Sequence, residues 1–163
     1  MSVNIARRRF NARFAQCCAW LAAFGLTQVR AATDVAKDVA ATGTLEERTK
    51  AVTGGASVRN GRVHIDTPRL ADNGHSVPIT VRVDSAMTAT ENVRRIALIS
   101  ESNPRALIAT FHLTPNSGRA EIVTRIRLNK TQRVLALAEL SDGSFWSSSA
   151  EVVVTESACL DAE

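Results

Sequence analysis

Val77-Pro78-Ile79-Thr80-Val81-Arg82-Val83 places an apolar residue at every second position. That period of two lines Val77, Ile79, Val81 and Val83 along one face of a pleated strand. Leu107, Ala109, Phe111 and Leu113 repeat the pattern further along the chain. Outward from these runs, strands are expected over 62–66, 77–83, 93–101, 106–114, 119–128, 131–140 and 144–155. Pro68, Asp72-Asn73-Gly74, Asn103-Pro104, Asn116-Ser117-Gly118, Asn129-Lys130 and Asp142-Gly143 fall in the gaps, where turn chemistry wants them.

Short strands at regular spacing, with no long helix, predict an all-β fold, an immunoglobulin-like β-sandwich of about seven strands. The disulfide and core tryptophan of antibody domains are missing, so only the architecture is expected. Val134-Leu135-Ala136-Leu137-Ala138 and Ile96-Ala97-Leu98-Ile99 are apolar on both faces. Such strands lie at the centre of a sheet, or have one face covered by another subunit. Ahead of the sandwich, Thr44-x-x-Glu47 has capping-box spacing, and Gly54-Gly55 would stop a helix over Leu45 to Val52. Two turns are marginal alone. The segment is therefore either a short helix leaning on the sandwich or a partly ordered linker.

The first residues read as an export signal. Arg7, Arg8, Arg9 and Arg13 precede an apolar stretch from Phe14 to Leu26, and Val29-Arg30-Ala31 supplies small residues at a processing site. The stretch is shorter than the roughly 20 apolar residues that span a bilayer. Arg7-Arg8-Arg9-Phe10 also fits the twin-arginine pattern. The expected organisation is an export signal over 1–31, a linker or short helix over 32–60, the sandwich over 61–155 and a flexible C-terminal arm over 156–163. The working protein is expected in the periplasm, with no membrane association after processing.

Processing changes the chemistry of the chain. Of 20 basic and 16 acidic residues in the full sequence, five basic ones and no acidic one precede the cut. The sequence pI near 9.5 therefore belongs to the signal, and the processed chain lacks the basic footprint of a nucleic-acid binder. Aromatic residues make up 4% and tyrosine is absent, so there is no stacking platform either. Cys17 and Cys18 leave with the signal, and Cys159 has no partner in its own chain. A leftover exported cysteine is an intermolecular crosslink, a reactive thiol or a tolerated tail residue.

His64, His75 and His112 have no metal-ligand spacing with one another or with Cys159, so no metal or other cofactor is expected. A copper site of the cupredoxin kind needs a second histidine, and usually a methionine, soon after the cysteine. Leu160, Asp161, Ala162 and Glu163 supply neither. Ser147-Ser148-Ser149 is a strand segment without an evident base. The residues therefore predict a protein that is not an enzyme.

The stretch from Ser141-Asp142-Gly143-Ser144-Phe145-Trp146 through Val152-Val153-Val154 to Cys159 resembles SoxY, the cysteine-bearing subunit of a periplasmic thiosulfate-oxidising system. Leu70-Ala71-Asp72-Asn73-Gly74, Val83-Asp84-Ser85-x-Met87-Thr88, Ala109 to Ala120 and Ala138-Glu139-Leu140 carry the same resemblance in the same order. It covers Leu45 to Cys159. The resemblance implies covalent attachment of sulfur intermediates to Cys159 on a swinging arm. It also implies a heterodimer with a SoxZ-like subunit, and presentation of the cargo to haem, hydrolase and dehydrogenase partner enzymes. A partner without its own signal would cross with its mate, which suits a route for folded cargo.

The chain departs from the family at the arm. Ser157, Ala158, Leu160 and Asp161 flank Cys159 where the family has glycine pairs. Glycine offers little bulk and free access to positive φ, whereas these side chains restrict the backbone and add volume. Glu156, Asp161 and Glu163 surround the sulfur with negative charge, which disfavours the thiolate and repels an anionic sulfur substrate. Two readings result: a covalent sulfur carrier acting through Cys159, or a divergent binding or scaffold subunit that keeps the sandwich and not the carrier chemistry.

Overall fold

The structure, a computed structural model, describes residues 43–157. The expected export signal, residues 32–42, and the tail residues Ala158, Cys159, Leu160 and Asp161 lie outside the described residues.

The described chain forms one α-helix and nine strands in two sheets. Helix α1 spans Leu45–Thr53, followed by β1 (Val58–Asn60), β2 (Val63–Asp66), β3 (Leu70–Asn73) and β4 (Val77–Val83). Then come β5 (Val93–Ser100), β6 (Leu107–His112), β7 (Glu121–Ile126), β8 (Gln132–Leu140) and β9 (Phe145–Glu156). The larger sheet runs β1-β9-β8-β5-β6, with β3 also on β9, and the smaller runs β2-β4-β7. The β-sandwich read from the sequence is the observed architecture.

The period of two in β4 does what it predicts. Val77, Ile79, Val81 and Val83 are buried, and Pro78 and Arg82 are exposed. They meet Ile96 and Leu98 of β5, Val134, Ala136 and Ala138 of β8, and Val152 of β9 in one core between the sheets. Each Val, Ile or Leu side chain among them contributes about 1.5–3 kcal/mol of transfer free energy on burial, so this layer supplies the main favourable term for the fold.

The two-faced strands have a local explanation. β5 and β8 are interior strands of the larger sheet. Their outward residues Ala97, Ile99 and Leu137 pack with Leu45 and Val52 of α1 in a second, smaller core. The helix therefore covers part of the outer sheet face. Its start is fixed by Thr44, whose Oγ1 accepts the Glu47 N–H at 3.3 Å, while Glu47 Oε2 accepts the Thr44 N–H at 2.8 Å. Gly54 ends it at φ +65°, a conformation that favours glycine. This segment is a docked helix and not a loose linker.

All seven expected strands are present: β4 keeps both expected ends, β9 starts one residue later and ends one residue further, at Glu156, and the other five are trimmed, while β1 and β3 are additions. Both are short, and neither shows the alternation of a half-buried strand. Parallel pairing with β9 forms them instead, with Val58 opposite Phe145 and Leu70 opposite Val153. Asp72 and Asn73, expected in a turn, consequently close β3. The turn begins one residue later, where Asn73 Oδ1 accepts the His75 N–H at 2.7 Å. Glu156, expected in the arm, is the last residue of β9, because Asn73 stands opposite it in the β3 ladder.

Candidate functional site

Cys159 lies outside the described residues, so the candidate site is the part of the fold from which its segment departs. β9 carries the chain there. On one side the Val153 N–H donates to Arg69 O at 2.8 Å, and Glu156 O accepts the Gly74 N–H at 2.9 Å. Thr155 Oγ1 donates to Asp72 O at 2.8 Å. On the other side the Val154 N–H donates to Thr131 Oγ1 at 2.9 Å. Beyond the strand, the Ser157 hydroxyl donates to Asn129 O in the β7–β8 loop. The chain is held on both sides up to Ser157.

The loop that receives Ser157 stands on a buried polar cluster. Gln132, first residue of β8, is 3% exposed and Ser100, last residue of β5, is 0% exposed. Ser100 Oγ donates to Gln132 Oε1 at 2.6 Å. Gln132 Nε2 donates to Asn103 Oδ1 at 2.9 Å and to Asn129 Oδ1 at 3.0 Å. The Asn129 N–H reaches Asn103 Oδ1 at 3.1 Å, and Asn129 Nδ2 reaches Ser102 O at 2.8 Å. Asn103 Nδ2 closes the cluster on Arg127 O at 2.7 Å. A buried polar group is tolerated when it is hydrogen-bonded, and these amides satisfy one another. The cluster ties the β5–β6 loop to the β7–β8 loop and so fixes Asn129.

The same cluster is wired to the helix. Arg48 of α1, 5% exposed, donates from Nη1 to Ser100 O at 2.7 Å. Next to it Glu101 accepts Arg133 Nη2 at 2.8 Å and the Arg133 N–H at 3.0 Å. These bonds to Arg133 hold the Glu101 carboxyl below the usual carboxylate range.

The structure places Ser157 at the root of the arm and half-buried. Ala158, Cys159, Leu160 and Asp161 lie outside the described residues. The histidines do not converge. His64 pairs with Asp84 at 2.9 Å, His75 sits in the turn after β3, and His112 is exposed at the end of β6. Among the described residues no group of three or more His, Cys, Asp or Glu side chains could hold a metal ion. Ser100, Asn103, Asn129 and Gln132 were not singled out from the sequence as site residues. A signal was present: Gln132 and Ser100 occupy the inward-facing parity of β8 and β5, where a polar residue demands a partner.

This sandwich is similar to that of known proteins. The sulfur carrier protein SoxY from Chlorobium limicola f thiosulfatophilum superposes with a TM-score of 0.57 at 23% identity, covering 68% of this chain and 91% of that one. A superoxide reductase (neelaredoxin) from Ignicoccus hospitalis superposes with a TM-score of 0.53 at 16% identity, covering 58% of this chain and 80% of that one. At such identities the likeness is one of fold. No curated protein matches the chain in sequence. The sequence model described as "Sulfur oxidation protein SoxY" matches residues 49–159, from α1 to Cys159 itself. With that match spanning most of its length, the chain belongs to the SoxY family of sulfur oxidation proteins.

Proposed function

We propose that this chain is a sulfur-carrier subunit and not an enzyme, which binds sulfur-oxidation intermediates covalently through Cys159. The observation that carries the reading is the family match, which runs through the whole sandwich and reaches Cys159. The fold supports it by holding β9 and Ser157 firmly, so that a thiol two residues further on is offered from a fixed point.

The chemistry needs a partner. Joining the Cys159 thiol to the outer sulfur of thiosulfate forms an S–S bond and releases a proton and two electrons. A haem enzyme is the acceptor in this scheme. A hydrolase then adds water across the S–S bond to the sulfonate, which releases sulfate and leaves a persulfide on Cys159. A dehydrogenase oxidises the outer sulfur to a sulfonate, with water supplying the oxygen and the electrons passing to that enzyme's own acceptor, and a second hydrolysis releases sulfate and restores the Cys159 thiol. The sulfur of Cys159 is the attachment point throughout, and the sandwich holds a SoxZ-like subunit. The setting is the periplasm, reached by the export segment over residues 1–31, of twin-arginine type.

Replacing Cys159 with serine in a reconstituted thiosulfate-oxidising mixture tests the proposal. A carrier loses activity entirely. Retained activity would favour the scaffold reading, for which the non-glycine flanks Ser157, Ala158, Leu160 and Asp161 speak.

A further inference from the structure

We infer that Ser157 is a latch that shortens the arm of this chain, with the buried amide cluster under Asn129 as its positioning unit. Three observations meet here. The strand leading to the arm is tied on both sides, by Gly74 and Asp72 on one flank and by Thr131 on the other. The next residue, Ser157, donates its hydroxyl to Asn129 O. Asn129 is itself immobilised, because its N–H, its Nδ2 and its Oδ1 are each engaged by Asn103, Ser102 and Gln132.

A carbonyl in a freely moving loop would tether nothing. Here the acceptor is braced by buried side chains, and Arg48 braces Ser100 from the helix. The contact needs a side-chain donor, so a glycine at position 157 would leave the chain untied beyond Glu156. With the latch closed, Cys159 lies two residues past a fixed point, a reach of about 7 Å for extended chain. Without it the reach grows by one residue, to about 10 Å. Ser157 thus acts on Cys159 through the backbone and is a positioning residue. Its consequence is that cargo on Cys159 is offered from Ser157 at a reach one residue shorter than from Glu156.

The purpose of the latch rests on the carrier reading, but its test does not. With Cys17 and Cys18 replaced by serine, Cys159 is the single thiol and takes one nitroxide label, whose mobility is read by electron spin resonance. Ser157→Ala is expected to shorten the label's rotational correlation time about twofold or more, as for a segment passing from tethered to flexible. Ser157→Thr keeps a hydroxyl and is expected to retain the parent spectrum. Thermal midpoints of both variants should match the parent, which separates tethering from general stability. Gln132→Met should also free the label, and if that variant fails to fold, the Ala and Thr pair decides alone. A spectrum unchanged by Ser157→Ala would overturn the inference. Absence of sulfur adducts on Cys159 would instead overturn the carrier reading and leave the latch standing.

Discussion

The Arg48 guanidinium, buried beneath α1, donates to the carbonyl of Ser100 at 2.7 Å and joins the helix to the last residue of β5. Through Ser100 the contact continues to Gln132 and Asn129, and so to Ser157. Helix α1 and the last described residue are therefore connected through one hydrogen-bonded network, in which Arg48, Ser100 and Gln132 are buried and Asn129 and Ser157 half-buried.

Arg48→Met keeps most of the side-chain volume and removes the charge-assisted donor. Leaving the buried Ser100 carbonyl short of that bond should cost about 1.5–3 kcal/mol. Urea unfolding measures the loss. An unchanged midpoint would mean that water replaces the guanidinium without cost.

Gln132→Leu is nearly isosteric, yet it strips partners from Ser100, Asn103 and Asn129 together. Asn103 Oδ1 keeps the Asn129 N–H, but the buried Ser100 hydroxyl loses its acceptor, and a buried polar group left short of its bond costs about 1–3 kcal/mol, so this substitution should be clearly destabilising. Amide hydrogen exchange should show faster opening of the β5–β6 and β7–β8 loops before the rest of the sandwich.

The helix should be separable from the sandwich by two substitutions of different mechanism. Thr44→Ala removes the cap and is expected to cost about 1 kcal/mol. Leu137→Ala empties the contact between the larger sheet and α1, at about 2–5 kcal/mol. Differential scanning calorimetry orders the two, and the larger loss belongs to Leu137→Ala.

Glu101 gives a pH dependence of definite sign. Its carboxyl is held below its ordinary value by Arg133, so the folded state binds a proton less readily than the unfolded one. The stabilisation is complete above the ordinary glutamate range and is lost as pH falls through the lowered folded value. Thermal midpoints measured from neutral pH into acid should fall less steeply for Glu101→Gln than for the parent. At neutral pH the variant should be the less stable of the two.

Much of the sandwich was legible because burial imposes a period of two. In β4 the pattern and the strand coincide residue for residue, from Val77 to Val83. β1 and β3 were hidden because their stability comes from the parallel ladder on β9, a contact distant in sequence that leaves no local alternation. The coverage of β5 and β8 illustrates the same limit. Ala97, Ile99 and Leu137 announced burial on a second face, but the sequence does not say whether a subunit or the chain's own helix covers them. For the site, Cys159 stood out by processing arithmetic and by the family resemblance. The cluster that braces its root did not, because Asn103 and Asn129 look like ordinary turn residues until Gln132 brings them together.

A carrier holds its cargo on Cys159 while thiosulfate is being oxidised. Intact-protein and peptide mass spectrometry on chain purified from cells oxidising thiosulfate reads that cargo. Added sulfur and sulfonate masses are expected on the peptide containing Cys159, removed by dithiothreitol and absent from Cys159→Ser. Only unmodified thiol on that peptide under the same conditions would rule out a carrier role for Cys159.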